Sequence, residues 1–288
     1  MALKRNFSRY AATSDTVYLF HDLQDYLNSE IPTGISSIAY GHGTLDTQLI
    51  RRDSATLIVV FHAAANPATF TLPIFVGHKI TRETDASVLF VSDPSLDFRI
   101  PSGWFAGDAA RPLQQDLVKV IRHVSQSVLA KHIVFQGSSA GGFASMFYSH
   151  QFPGSLAIAV NPQTNLRNHY PERVNPYLNA CWPRLLKQPV PTFDLLELYE
   201  ESFPNFLLYV QNRRDSFHIE HHYTPWANAF DGLFGERWST LAGDWGDGHA
   251  APPPFFQSAI FDFALSFQGN WAELLRSDDL EATPGLEY

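Results

Sequence analysis

The sequence predicts an α/β fold: a mainly parallel central sheet flanked by helices, with a small insertion after the sixth strand. Three observations predict it. Short runs rich in β-branched and aromatic residues alternate with segments of helical period, as in a parallel sheet covered on both faces. Several of the later runs are continuously apolar, as expected of strands buried on both sides. Hydrophobic residues make up 45% of the 288 positions and charged residues 17%, which gives the chain a large core to bury and argues against disorder.

The strand runs are 17–20, 38–40, 56–61, 88–91, 132–136, 156–160, 206–211 and 238–241. The first two are short and alternate poorly, which suits an antiparallel start to the sheet. Helical segments fall between the later runs. In 112–129 the apolar residues Leu113, Leu117, Val120, Ile121, Val124 and Val128 recur close to a 3.6-residue period. Segments 140–150, 219–230 and 254–267 are the other helices expected. Between 163 and 204 the pattern breaks into a stretch rich in Pro, Asn and aromatics, which reads as a lid-like insertion. One domain over 1–276 accommodates all of this, and 277–288 reads as a polar, loosely attached tail.

Charge narrows the function classes. The formal net charge is −9 and no run of Lys or Arg exceeds a pair, so nucleic acid and anionic lipid are not expected partners. Cys181 is the single cysteine, which excludes an intramolecular disulfide and a thiolate cluster for zinc. No stretch approaches the roughly 18 apolar residues of a membrane helix, and no signal peptide is visible. The expectation is a cytoplasmic protein with no membrane span; the oligomeric state is not legible.

The most informative segment is Gly137-Ser138-Ser139-Ala140-Gly141-Gly142, a Gly-x-Ser-x-Gly pattern after a β run and at the head of a helix. A serine hydroxyl is a weak nucleophile and must project toward both a base and a substrate carbonyl. A sharp strand-to-helix turn achieves this, with small residues two positions either side because strand and helix nearly touch there. Ser138 would need glycines where Gln136 and Ala140 stand, so Ser139 is the candidate.

Acid and base are expected later in the chain, at strand ends. Asp215 follows the 206–211 run and His249 follows the 238–241 run through a glycine-rich loop. In this reading His249 takes the Ser139 proton and Asp215 orients the imidazole. Asp244, Asp247 and Glu220 are alternatives for the acid. His218, His221 and His222 compete with His249 but lie too early to follow the last strand; they read as helix-surface or pocket-wall histidines, and no metal site is expected of them. Oxyanion donors are expected at the N–H of Ala140 and of Ala64, in the loop His62-Ala63-Ala64-Ala65, with Ala63 and Ala65 also open. His62 reads as a pin for that loop. The aromatics of Gly103-Trp104-Phe105 read equally as pocket wall or as loop packing.

Together Gly137-Ser138-Ser139-Ala140-Gly141-Gly142, Asp215 and Gly248-His249 make the chain resemble the α/β-hydrolase superfamily over about 56–267, with Ala63 where its oxyanion loops usually carry glycine. The resemblance implies a cofactor-independent serine hydrolase that cleaves a carboxylic ester, from a small molecule or a glycan, through an acyl-enzyme on Ser139. The runner-up reading is an O-acyltransferase with the same three residues, and a third, which the intact triad positions argue against, is a non-catalytic binding protein on the same fold. The Gly-Ser-Ser-Ala-Gly-Gly turn and the Gly103-Trp104-Phe105 loop also resemble hydrolase-like proteins of bacterial surface-glycan and accessory-secretion systems, some of them regarded as glycan O-acetyltransferases.

Overall fold

The computed structural model describes residues 3–14, 16–183 and 191–280. Among the described residues nine strands form one sheet: β1 (Val17–Phe20), β2 (Gly34–Tyr40), β3 (Gly43–Ile50), β4 (Thr56–Phe61), β5 (Ser87–Ser92), β6 (His132–Ser138), β7 (Leu156–Val160), β8 (Phe206–Asn212) and β9 (Trp238–Gly243). Their order is β1-β2-β3-β5-β4-β6-β7-β8-β9. From β5 to β9 every pairing is parallel; β3 alone runs against both of its neighbours.

β3 is the strand the apolar pattern conceals. Its consecutive residues Asp46, Thr47 and Gln48, which point to alternate faces, are all buried, with Asp46 neutralised by Arg5 at 2.9 Å and hydrogen-bonded by Ser37 at 2.6 Å. Buried but satisfied polar groups erase the alternation that marks a half-buried strand. The consequence is a corrected start to the sheet: β1 and β2 are parallel to each other, and the antiparallel turn comes at β2–β3. The insertion therefore follows the seventh strand.

Helices cover both faces, after a first short helix α1 (Leu23–Asn28) between β1 and β2. On one side α2 (Leu113–Ser127) buries the predicted Leu113, Leu117, Val120, Ile121 and Val124, and α3 (Ala140–His150) is buried along almost its whole length. On the other, Ile260, Phe261 and Ala264 of the helix Pro254–Ser266 pack with Trp271 on Ile58, Val134 and Ile158. Leu280 is buried in the same cluster, so the segment after 276 is anchored as far as it is described; 281–288 lie outside the described residues.

The 163–204 segment carries α4 (Pro171–Cys181) and α5 (Leu195–Glu201), with 184–190 outside the described residues. It is tied to the body by buried tyrosines. The Tyr177 hydroxyl donates to the Gly107 carbonyl at 2.9 Å and the Tyr199 hydroxyl to the Met146 carbonyl at 2.8 Å. Among the described residues no helix is long and apolar enough to cross a membrane.

Candidate active site

Ser139 stands between β6 and α3 with φ 56° and ψ −116°, a conformation L-residues rarely adopt and one that costs about 1–3 kcal/mol. The neighbouring glycines are a steric necessity. A Cβ on Gly137 would run into the Gly141 carbonyl, and one on Gly141 would sit 2.5 Å from the Phe61 carbonyl oxygen of β4. The turn thus presses α3 against two strands and leaves the Ser139 hydroxyl at the carboxyl edge of the sheet.

Asp215 follows β8 and is 3% exposed. It receives His249 Nδ1–H at 2.6 Å and His218 Nδ1–H at 3.0 Å, an ionised carboxylate being an acceptor only. Burial by itself would raise its pKa; the hydrogen bonds and charge interactions from His218 and His249 outweigh that and hold it well below the usual carboxylate range. The alternative acids lie elsewhere. Asp244 and Asp247 are exposed and pair with Arg214, and Glu220 points to solvent.

Asn212, the last residue of β8, delivers the 243–249 loop to Asp215. Its side-chain amide donates to the carbonyls of Gly246 at 2.8 Å and Gly248 at 2.7 Å, while its oxygen accepts the Trp245 N–H at 3.1 Å. Gly246 and Gly248 have φ of 127° and 67°, so the loop doubles back as only glycine permits. His249 emerges with its side chain 37% exposed, open to a cavity.

His218, which chain order does not single out, also belongs to the site. It is buried three residues after Asp215, its ring stacked on His249 with centroids 3.8 Å apart. The turn Ser216–His218 runs into a π-helical turn, Ile219–Tyr223, whose wider winding buries His222 as well. Only the i, i+3 relation to an acid at a strand end signals His218 in the sequence.

Gln163 had no sequence signal at all. It is fully buried, and Trp104 Nε1–H, which can only donate, contacts its Oε1 at 3.1 Å. That contact orients the amide. Nε2 therefore faces both the Ser139 hydroxyl, at 3.0 Å, and His218 Nε2, at 2.9 Å. Ser139 Oγ thus accepts a hydrogen bond from Gln163.

The loop after β4 needs no glycine, since neither Ala63 nor Ala64 has a positive φ. His62 pins it: Nδ1 donates to the Ala63 carbonyl at 2.8 Å, and Nε2 accepts the Asp93 N–H at 3.0 Å. Burial holds the His62 pKa down, consistent with a neutral ring in that role. The Ala65 N–H is spent on the Pro101 carbonyl at 2.8 Å, whereas Ala64 and Ala140 both line the cavity beside Ser139. The 103–105 loop divides its roles. Trp104 faces the cavity, and Phe105 packs on Phe61 with centroids 4.9 Å apart.

The cavity holds about 450 Å³ and brings together Ser139, Asp215, His218, His249, Ala64 and Ala140. The 163–204 segment contributes Gln163, His169, Tyr170 and Arg173 to its wall. Imidazole nitrogens of His169, His218 and His222 lie within 4.8 Å of one another, a spacing open to a metal ion. Their hydrogen bonds oppose it. His218 Nε2 accepts from Gln163, and His222 Nδ1 accepts the Thr164 N–H at 3.2 Å, which leaves the His222 proton on Nε2. Burial first, then the neighbouring histidines, push His169 down to about 3 and His222 to about 2. The cluster is a wall of neutral imidazoles.

No family model matches the chain, and no curated protein does. Solved structures do. Capsule O-acetyltransferase of Neisseria meningitidis serogroup A is similar at 14% identity and TM-score 0.60, over 83% of this chain and 97% of that one. Carboxyl esterase 2 of Tuber melanosporum matches at 14% identity and TM-score 0.52, over 93% and 96%. Pyrococcus horikoshii acylaminoacyl peptidase matches at 13% identity and TM-score 0.56, over 87% of this chain and 43% of that one. With a mainly parallel sheet, helices on both faces and these neighbours, the chain has the α/β-hydrolase fold.

Proposed function

We propose that the protein is a serine enzyme of acyl transfer that cleaves a carboxylic ester, with Ser139 as nucleophile, His249 as general base and Asp215 as the group that orients His249. The observation that carries it is the convergence on one cavity of a strained strand-to-helix serine and an imidazole whose Nδ1–H is held 2.6 Å from a buried carboxylate.

Two imidazoles share Asp215, and hydrogen bonding selects between them. His218 Nε2 already accepts from the Gln163 amide, so its lone pair is occupied. His249 carries its proton on Nδ1 toward Asp215, which leaves Nε2 as the proton acceptor on the cavity side. Ser139 gives its proton to His249 Nε2 as Oγ attacks the ester carbonyl. The N–H groups of Ala140 and Ala64 receive the developing oxyanion, each contributing about 3 kcal/mol. The imidazolium then protonates the departing alcohol, and water activated by the same histidine releases the acid. The segment 163–204 serves as a partial roof that shapes which alcohol or acyl group enters.

A hydroxyl acceptor in place of water would make the same apparatus an O-acyltransferase. The likeness of fold to a capsule O-acetyltransferase over nearly that protein's full length supports this second reaction. A fluorophosphonate probe should label Ser139, with mass spectrometry locating the adduct and Ser139→Ala abolishing it; absence of labelling would leave a binding protein on this fold. Ser139→Ala and His249→Ala should each lower kcat by about 10⁶-fold. A loss of tenfold or less would overturn the assignment. Turnover of short p-nitrophenyl esters accelerated by added glycan would identify the transferase.

A further inference from the structure

The contacts at the bottom of the cavity form one continuous chain. Trp104 Nε1–H donates to Gln163 Oε1, Gln163 Nε2 donates to Ser139 Oγ and to His218 Nε2, and His218 Nδ1–H donates to Asp215. Each donor and acceptor in it has one permitted sense, because the indole can only donate and the carboxylate can only accept. The sense of the chain matters for the reaction. His218 shares with His249 the same carboxylate partner and a stacked ring, and differs from it in being buried. A single amide nitrogen touches both Ser139 Oγ and His218 Nε2, which places those atoms no more than about 6 Å apart, the reach of one bridging water. Without the amide, His218 would be a second base.

We propose that Gln163 is a positioning residue that caps His218 and aims the Ser139 proton at His249, so that one of the two imidazoles sharing Asp215 acts as base. The inference rests on the Ser139–His249–Asp215 reading of the site. The amide occupies the His218 lone pair and one lone pair of Ser139 Oγ, which leaves the hydroxyl hydrogen free to turn toward His249. Replacing Gln163 by a small residue opens room for a water in place of the amide. That water can take the Ser139 proton while giving one of its own to His218 Nε2, with the positive charge formed beside Asp215.

The test is a rescue that a purely structural role would not produce. In His249→Ala, activity on a p-nitrophenyl ester should be nearly abolished, because His218 stays capped. Adding Gln163→Ala, or Gln163→Ser if the alanine variant fails to fold, should raise kcat/KM at least tenfold above His249→Ala alone. Adding His218→Phe should remove the gain. A double variant no better than His249→Ala, or a gain that survives His218→Phe, overturns the proposal. A second measurement is independent of turnover: in ¹⁵N-histidine-labelled wild-type protein, NMR should find His218 as the Nδ1–H tautomer, with its Nε2 resonance shifting in Gln163→Ala. An Nε2–H tautomer overturns the chain of hydrogen bonds, whereas an inert wild-type enzyme with the Nδ1–H tautomer sinks the catalytic reading and leaves the cap on His218 standing.

Discussion

His218 and His249 lie face to face, ring centroids 3.8 Å apart and planes 18° from parallel, and both donate Nδ1–H to the carboxylate of Asp215. One acid thus sets the tautomer of two rings. Asp215→Asn replaces one acceptor oxygen by an amide that can only donate, so one imidazole must turn its proton to Nε2. If that ring is His249, it no longer accepts from Ser139. The expected outcome is a fall in kcat of about 10⁴-fold, by analogy with the same replacement in other serine triads. Steady-state kinetics on a p-nitrophenyl ester would show it, and near-wild-type turnover would remove Asp215 from the mechanism.

The strain at Ser139 predicts a trade of stability against activity. Glycine adopts φ 56° without penalty, while its greater freedom in the unfolded chain offsets part of that relief. Ser139→Gly should therefore be inactive yet more stable by about 1 kcal/mol, a rise in Tm of roughly 2 °C for a chain of this size. Differential scanning calorimetry decides it. A Tm several degrees below wild type would mean that the lost Gln163 contact outweighs the strain.

Asp93 governs Trp104 from a distance. Its Oδ2 accepts the N–H groups of Gly103 at 3.1 Å and Phe105 at 3.0 Å, and Oδ1 accepts that of Ser95 at 2.9 Å. These bonds hold Trp104 and Phe105 at φ of 50° and 53°, two successive left-handed residues without glycine. Asp93→Asn sets an amide donor against backbone donors whichever way it turns. A loss of about 2–3 kcal/mol is expected for the unsatisfied buried groups, read as a lower urea midpoint. Activity should fall further than stability alone explains, because Trp104 orients Gln163.

The buried histidines make folding sensitive to acid. His222 is held at about 2 by burial and by the neighbouring His218 and His169, against 6.5 for an ordinary histidine. As pH drops below about 6.5 the unfolded chain takes up a proton that the folded protein refuses until about 2. The unfolded state binds more protons across that window. Stability is therefore complete above about 6.5 and declines as pH falls, by about 2 kcal/mol at pH 5 for His222. His169 and His218, also lowered first by burial, act in the same direction. Urea midpoints at pH 7.5 and pH 5.0 should separate accordingly, and His222→Gln should narrow the gap. Equal midpoints in the wild-type protein would contradict the buried, neutral state of the cluster.

Most of the sheet was legible because a strand between two helical layers needs apolar side chains on both faces, as β4, β5, β7 and β8 do. β3 was not, because Asp46 and Gln48 are buried by partners from distant segments: Arg5 pairs with Asp46, and Thr13 and His78 with Gln48. The positions of Ser139, Asp215 and His249 could be singled out from local context: a small-residue turn after a strand, an acid at a strand end, a histidine beyond a glycine loop. Gln163 could not, since nothing near it in the chain distinguishes it from any polar residue opening an irregular segment.

By itself the sequence determined the layered architecture and the one turn where a hydroxyl must leave a strand for a helix, since both follow from periodicity and from the size of adjacent side chains. Tertiary structure alone decided how protons are distributed around that hydroxyl. Gln163 reaches Ser139 across 24 positions and His218 across 55. Which ring nitrogen keeps its lone pair depends on a hydrogen-bond donor brought close by folding, and no neighbouring residue in the chain encodes that.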